Sequence, residues 1–345
     1  METRVCRLHA VHDLRVESEP VAPPAAGQVL LRLRAGGICG SDLHYFHEGG
    51  IGAIRVREPI ILGHEAAGEV EALGEGVEGL KPGQLVAINP SRPCGECRFC
   101  AEGTPRQCLS MRFNGSAMFL PHTQGLFRER IVVDAAQCVP MAPGVSASAA
   151  ACTEPLAVCL HARNLAGDLS GKRVLVTGAG PIGALCVALA KSGGAEEVVV
   201  TDLQDAVLDV AAKMGADKTV NVLSQADALA PYAEEKGAFD VAFECSGAGP
   251  AIKTCLETLR PGGTLMQVGM AGEATVPLGM LVAKEIKLRG AFRFDREFAA
   301  AAGLISSGAI DVTPMVTGTF PLSQAKEAFE TAGDRTRAVK VHLSF

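Results

Sequence analysis

Arg173-Val174-Leu175-Val176-Thr177 runs directly into Gly178-Ala179-Gly180-Pro181-Ile182-Gly183, and then into Ala184-Leu185-Cys186-Val187-Ala188-Leu189-Ala190. A short apolar run, a glycine-rich turn and a longer apolar run read as strand, tight turn and helix. A GxGxxG pattern alone says little, and without a ligand it is simply a turn. Between a strand and a helix, its glycines let a pyrophosphate approach the helix N-terminus. The next apolar run closes on Val199-Val200-Thr201-Asp202, with Asp202 nineteen residues past Gly183. An acid there accepts hydrogen bonds from the adenosine ribose hydroxyls and repels a 2′-phosphate, so NAD is favoured over NADP. The absence of Arg or Lys between Asp202 and Lys213 supports the same preference.

Outward from this turn, further strands are expected at 173–177, 197–201, 240–245, 264–268 and 286–290, with helices between them ending at Gly193, Gly215 and Gly262. The fold class is α/β, with a doubly wound parallel sheet. On the N-terminal side the pattern changes. Val29, Leu31, Leu33 and Ala35 alternate with Arg32 and Arg34, and the Lys81-Pro82-Gly83 turn precedes Leu85-Val86-Ala87-Ile88, which makes residues 3–137 a β-rich unit. Ser146 can cap an Ala-rich helical run through Leu165. The tail reads as a helix at 297–307, another at 323–332 and a strand at 338–343, returning to the first unit. We therefore divide the chain at 1–150, 151–290 and 291–345.

The chain has 345 residues, enough for about two domains. It is 48% hydrophobic and carries a net charge of −6, which excludes a disordered chain and gives no excess of Lys and Arg for nucleic acid. No run reaches the roughly 18 apolar residues of a membrane span, so no membrane partner is expected. The N-terminus has no apolar targeting core, and the expected location is the cytoplasm. With 13 Phe, 2 Tyr and no Trp, aromatic stacking is not the main binding device.

The 12 cysteines are the informative excess. Cys94, Cys97, Cys100 and Cys108 lie in CGECRFCAEGTPRQC, a spacing that lets four thiolates converge on one tetrahedral metal from a single loop. All four positions would then be filled, and a closed site is structural. An iron–sulfur cluster and a pair of disulfides are the competing readings; a reducing compartment disfavours the second. Gly95 and Gly103 suit the turns such a loop needs. Elsewhere, Cys39 follows Gly36-Gly37-Ile38, and His64-Glu65 follows Pro59-Ile60-Ile61-Leu62-Gly63. A thiolate, an imidazole and a carboxylate form a mixed set that leaves a fourth position for water or an alcohol. Spacing alone does not bring these residues together, since an isolated Cys is usually packing and an isolated His is usually hydrogen-bonded.

GGICGSDLH, LGHEAAGEVEALGEGVEGLKPG, CGECRFC with its fourth Cys, and VLVTGAGPIG followed by VVVTD resemble the zinc-dependent medium-chain alcohol and polyol dehydrogenases, in the sorbitol dehydrogenase branch. The resemblance spans the chain in order. It implies a GroES-like catalytic domain built from both chain ends, a Rossmann domain between them, and a homo-oligomer, commonly a tetramer. It also implies two zinc ions per chain. Cys39 and His64 match the catalytic zinc ligands, and Glu65 matches the carboxylate that binds the metal or sits behind it. Glu154, in Thr153-Glu154-Pro155-Leu156, matches the position where the alcohol dehydrogenases place a cysteine; Cys152, two residues away, reads as packing. Ser41 and His44 match the proton relay; the plainer reading is that Ser41 and Asp42 cap a short helix and His44 lies on its surface. Gln84 stands where the family often has Asp, and Val207 where polyol dehydrogenases often carry Arg. VAINPSRPCGECRFC, MRFNGSAMFLPHTQGLF, FECSG, QVGMAG and LRGAFRF most resemble, within the branch, dehydrogenases of a sugar acid, and this resemblance implies a sugar-acid substrate. Its carboxylate requires a cation, for which Arg112 and Arg293 are the candidates. A neutral polyol substrate and a non-catalytic dinucleotide-binding protein are the rival readings.

Overall fold

The computed structural model describes residues 1–270 and 272–345; Ala271, inside the QVGMAG stretch, lies outside the described residues. The glycine-rich turn sits in a six-stranded parallel sheet ordered Lys218–Asn221, Glu197–Asp202, Arg173–Thr177, Phe239–Glu244, Leu259–Gln267, Lys287–Gly290. Arg173–Thr177 is central, and Val174, Leu175 and Val176 are fully buried, as a strand covered on both faces requires. The strand Lys218–Asn221 was not foreseen, because its sequence, KTVN, is too short and polar to show a period. Gly262 does not end a helix. The helix Gly249–Thr258 gives way at once to the strand Leu259–Gln267, and Gly262, with φ +73°, lies inside that strand.

The second layer is a seven-stranded sheet. Cys138–Pro140, Leu85–Ile88, Glu65–Leu73, Gln28–Gly37, Lys340–Ser344 and Val316–Pro321 follow one another, and Arg130–Asp134 also pairs with Gln28–Gly37. His342, Leu343 and Ser344 pair antiparallel with Gly37, Gly36 and Ala35, so the far end of the chain closes the sheet at the point where Cys39 leaves it. At the 81–84 turn, Gln84 takes over the task of an Asp: its Oε1 accepts from the Lys81 N–H at 3.2 Å.

Two consecutive helices, Ala147–Ala151 and Thr153–Ala166, lead from this sheet toward the parallel one. Ser146 caps the first, its Oγ accepting from Ala149 N–H at 3.1 Å. The break at Cys152 has a local cause, because Pro155 has no N–H to donate to the carbonyl of Ala151. The apolar residues Ala149, Ala150, Cys152, Leu156 and Ala157 are buried in one core with Val174, Val176 and Leu185, so the second helix is anchored to both layers. Among the described residues no helix is long and apolar enough to cross a membrane.

Candidate active site and metal centres

Strand Gln28–Gly37 is followed by Ile38, and Cys39 occupies the cap position of the helix Gly40–Glu48. The side chain that ties this helix start is Asp42, not Ser41. Its Oδ2 accepts from Cys39 N–H at 3.0 Å and its Oδ1 from Gly63 N–H at 3.0 Å, while the residue is fully buried. One carboxylate therefore holds the two segments that carry Cys39 and His64, and lies 3.7 Å from His64 Nδ1. Gly63 has φ +92°, and a Cβ there would run into the Phe127 ring, so only glycine lets the chain turn into His64. Burial would push the His64 imidazole down; Asp42 and Cys39 beside it prevail and raise it well above the usual histidine value.

Ligand atoms of Cys39, His64 and Glu65 lie within 4.8 Å of one another. Cys39 and His64 are twenty-five apart in sequence, and the antiparallel pairing of strands Gln28–Gly37 and Glu65–Leu73 brings them together, with Gly37 paired to Glu65. A Cβ at Gly37 would meet the Glu65 carboxylate. Glu65 is itself engaged from the far end of the chain. Lys340 Nζ donates to its Oε1 and Oε2 at 2.8 and 2.6 Å, and to the Ile38 carbonyl at 3.1 Å. Burial works against the Glu65 carboxylate, but Lys340 and His64 outweigh it and lower its pKa.

Glu154 enters from the first turn of the helix Thr153–Ala166, 6% exposed, and is in no ion pair among the described residues. It stands outside the 4.8 Å set. Burial pushes its carboxyl up to about 7, against the nearby positive groups of His64, Lys340 and Arg293. A thiol, an imidazole and a buried carboxylate make a donor set that suits a zinc ion with an open position. The residues present fit that metal: Cys39, His64 and a carboxylate, Glu65 or Glu154, would hold it, and of the two Glu65 is already paired with Lys340. Cys152 does not compete. It is completely buried, its Sγ donates to the Ser148 carbonyl at 3.5 Å, and burial pushes the thiol up to about 12.

Ser41 is partly buried in the first turn of the helix, and His44 is exposed one turn further, with Nδ1 2.9 Å from Glu48 Oε1. No hydrogen bond joins Ser41 to His44 among the described residues.

The two arginines separate. Arg293, with φ +52°, places its guanidinium 4.2 Å from the centroid of the Phe113 ring, and Phe113 in turn stands 5.5 Å from the His64 ring. Burial lowers its pKa, with Glu154 and Tyr45 opposing. Arg112 precedes Phe113 on a two-residue strand and so faces the other way. It donates to the Pro121 carbonyl at 3.0 Å and covers the Phe119 ring.

In the second cysteine cluster, ligand atoms of Cys94, Cys97, Cys100 and Cys108 also lie within 4.8 Å of one another. Backbone N–H groups point at the sulfurs: Cys94 N–H to Cys108 Sγ at 3.2 Å, and Ser110 N–H to the same sulfur at 3.4 Å. Hydrogen bonds from the Leu109 and Cys100 backbone bring the Cys97 thiol down to about 6. Gly95 and Gly103 take φ +80° and +76°. Such amides favour thiolate, and four thiolates with no open position fit a closed structural zinc. All twelve cysteines are free, against the two-disulfide reading.

At the dinucleotide turn, Gly180 caps the helix Pro181–Ser192 with Pro181 in its first turn, and a Cβ at Gly183 would collide with the Gly178 carbonyl. Ile182 is half-buried on the same turn. Asp202 ends the neighbouring strand; its Oδ2 accepts from Ala179 N–H at 2.7 Å, and its Oδ1 from Leu203 N–H at 2.7 Å. Val207 is 1% exposed, inside the core.

Sequence reasoning missed the roles of Asp42, Lys340 and Phe113. For Lys340 a signal existed, since Val339-Lys340-Val341-His342-Leu343 places two cationic-type residues on one face of an otherwise apolar strand.

Residues 25–143 match the family described as "Alcohol dehydrogenase GroES-like domain", and residues 181–307 match "Zinc-binding dehydrogenase". The chain therefore belongs to the zinc-dependent alcohol and polyol dehydrogenases, and it is an enzyme of that family. It is 45% identical over 317 residues to L-idonate 5-dehydrogenase (NAD(P)(+)) of Escherichia coli, covering 92% of this chain and 91% of that one. It is 38% identical to human sorbitol dehydrogenase over 328 residues, covering 94% and 91%. A crystal structure of the E. coli L-idonate 5-dehydrogenase superposes with a TM-score of 0.95 at 42% identity, covering 100% and 99%. That of 2R,3R-butanediol dehydrogenase from Bacillus subtilis gives 0.90 at 28%, covering 99% of each chain.

Proposed function

We propose that this dehydrogenase interconverts L-idonate and 5-keto-D-gluconate, with NAD favoured over NADP. The observation that carries the reading is Arg293, a half-buried cation set against Phe113 at the edge of the open metal site. A neutral polyol gives such a cation nothing to neutralise, whereas a sugar acid brings a carboxylate. The 45% identical E. coli relative bears the name of that activity and of both cofactors.

Zinc, when bound, lowers the pKa of an alcohol hydroxyl, and a nicotinamide dinucleotide, when bound, accepts the hydride. The chain's own residues do the rest. Cys39, His64 and Glu154 would hold the metal, with Glu65 and Lys340 behind them and Asp42 fixing His64. Ser41 takes the hydroxyl proton and passes it toward His44, which exchanges it with water. Gly178, Gly180, Pro181, Ile182 and Gly183 cradle the pyrophosphate, Asp202 faces the adenosine ribose, and Arg293 orients the substrate carboxylate. Cys94, Cys97, Cys100 and Cys108 hold a second, structural zinc. We assign 1–150 and 291–345 to the catalytic domain and 151–290 to the cofactor domain, in a cytoplasmic tetramer.

The test is NADH consumption by the zinc-replete protein with 5-keto-D-gluconate, beside fructose and with NADPH as the cofactor control. Turnover of the keto acid but not of fructose supports the reading. Turnover of fructose alone would replace it with a sorbitol- or xylitol-type activity, which the 38% identical sorbitol dehydrogenases favour. Turnover of neither compound would overturn both substrate assignments.

A further inference from the structure

Asp202 has a partner from the other end of the chain. Arg335 lies in the turn between the helix Ala325–Gly333 and the strand Lys340–Ser344, in the segment that completes the catalytic-domain sheet. Its Nη2 stands 3.3 Å from Asp202 Oδ2, and a Cβ on Gly180 would be 3.0 Å from that same nitrogen. The guanidinium thus lies over the glycine turn, between the start of the helix and the acid that faces the ribose. The turn that delivers it is built rather than loose. Asp334 Oδ1 accepts from Thr336 N–H at 3.0 Å and Thr336 Oγ1 at 2.6 Å, and the Asp334 carbonyl accepts from the N–H groups of Arg337 and Ala338 at 3.1 and 3.0 Å.

The two side chains differ in freedom. Asp202 is 8% exposed and Arg335 is 52% exposed. Besides Arg335, the carboxylate accepts from three backbone N–H groups, those of Ala179, Leu203 and Gln204, the last at 3.2 Å. An ionised carboxylate offers about four acceptor sites, so all are taken. A ribose hydroxyl that bonds to Asp202 must displace a donor, and the three amides are fixed by the loop. Arg335 is the donor that can yield, being held only through a flexible side chain that water already reaches.

Its charge has a second effect. An acid at the end of the second strand discriminates against a 2′-phosphate by repulsion. A guanidinium 3.3 Å away cancels much of that repulsion and, once displaced from the carboxylate, lies within reach of a phosphate, for which its fork of donors is suited. Just past the acid, the residues from Leu203 to Ala212 hold no Lys or Arg, and Val207 is buried.

We propose that Arg335, supplied by the catalytic domain, is a specificity residue of the dinucleotide site: it competes with the ribose for Asp202 and admits the 2′-phosphate, narrowing the preference for NAD. This rests on the reading that Asp202 faces the adenosine ribose.

Equilibrium binding of NADH and NADPH, followed by the fluorescence of the nicotinamide without substrate, tests it on the zinc-replete protein. In Arg335→Leu, NADPH affinity is expected to fall roughly tenfold while NADH affinity holds or rises, and Arg335→Lys should recover most of the NADPH binding. Equal weakening of both ligands would make Arg335 a pyrophosphate contact and overturn the proposal, as would an unchanged ratio. Asp202→Ala separates the two levels of inference. If it raises the NADPH to NADH affinity ratio while Arg335→Leu leaves the ratio alone, only the role of Arg335 fails. If Asp202→Ala changes neither affinity, or the unaltered protein binds neither dinucleotide, the placement of the ribose fails and the proposal with it.

Discussion

Lys340 Nζ lies 2.6 Å from Glu65 Oε2, and both side chains are 2% exposed. A buried ion pair of this kind is worth little compared with an apolar pair of equal volume, but removing one partner leaves an uncompensated charge. Lys340→Met should therefore destabilise the protein by about 3 kcal/mol or more in urea unfolding, and Lys340→Met with Glu65→Gln should recover much of the loss. If the double variant were no more stable than the single one, the pair would not be the reason Lys340 is there.

Metal counting separates the two sites. Mass spectrometry or atomic absorption should give two zinc ions per chain for the unaltered protein and one for either Cys39→Ala or Cys100→Ser. Only Cys100→Ser should lower the melting temperature strongly, since its site closes a loop and opens to no ligand.

Arg293→Leu should raise KM for the keto acid roughly tenfold, the scale of one charge-assisted carboxylate bond, with little change for a neutral ketose. Arg112→Leu is the control, because that side chain is spent on Pro121 and Phe119. Equal KM values for all three proteins would remove the carboxylate from the argument.

His44→Ala should slow turnover near neutral pH, with partial recovery in alkaline solution where water accepts the proton without help. An unaltered pH profile would leave His44 as a helix-surface residue bonded to Glu48.

His161 and Glu297 form a buried pair, Nδ1 to Oε1 at 3.0 Å. Burial would push the Glu297 carboxyl up, but the bonds from His161 and from the Asp295 N–H prevail and bring it down to about 2. A carboxyl whose pKa is lower in the folded state than its ordinary 4.5 adds stability above 4.5 and loses it as pH falls toward 2. The urea midpoint of the unaltered protein should therefore drop more steeply between pH 5 and pH 3 than that of Glu297→Gln. Parallel curves would mean that Glu297 does not contribute to acid lability.

Much of this was legible in the sequence for a physical reason. A Rossmann turn is local: Gly178, Gly180 and Gly183 work through neighbours a few residues away, so their spacing carries the message. The four-cysteine lobe is local as well. The open site is not, because Cys39 and the His64-Glu65 pair lie on segments twenty-five residues apart and come together only in the fold, while Glu154 belongs to a third element. Asp42 was read as a helix cap because a cap needs only its own turn, while its second bond, to Gly63, depends on strand pairing that no window reveals. Lys340 and Arg335 were the hardest. Each acts 133 residues or more away from its partner, and a single basic residue in a tail has no pattern.

The strand Lys340–Ser344 also sets an order of events during synthesis. Glu65 is made 275 residues before the lysine that neutralises it, and the whole parallel sheet is made in between. During synthesis all the strands of the parallel sheet are therefore made before Lys340–Ser344 can pair with Gln28–Gly37. The metal-bearing sheet is thus completed last, and a nascent chain stalled before residue 340 lacks both the strand that pairs with Gln28–Gly37 and the lysine that neutralises Glu65.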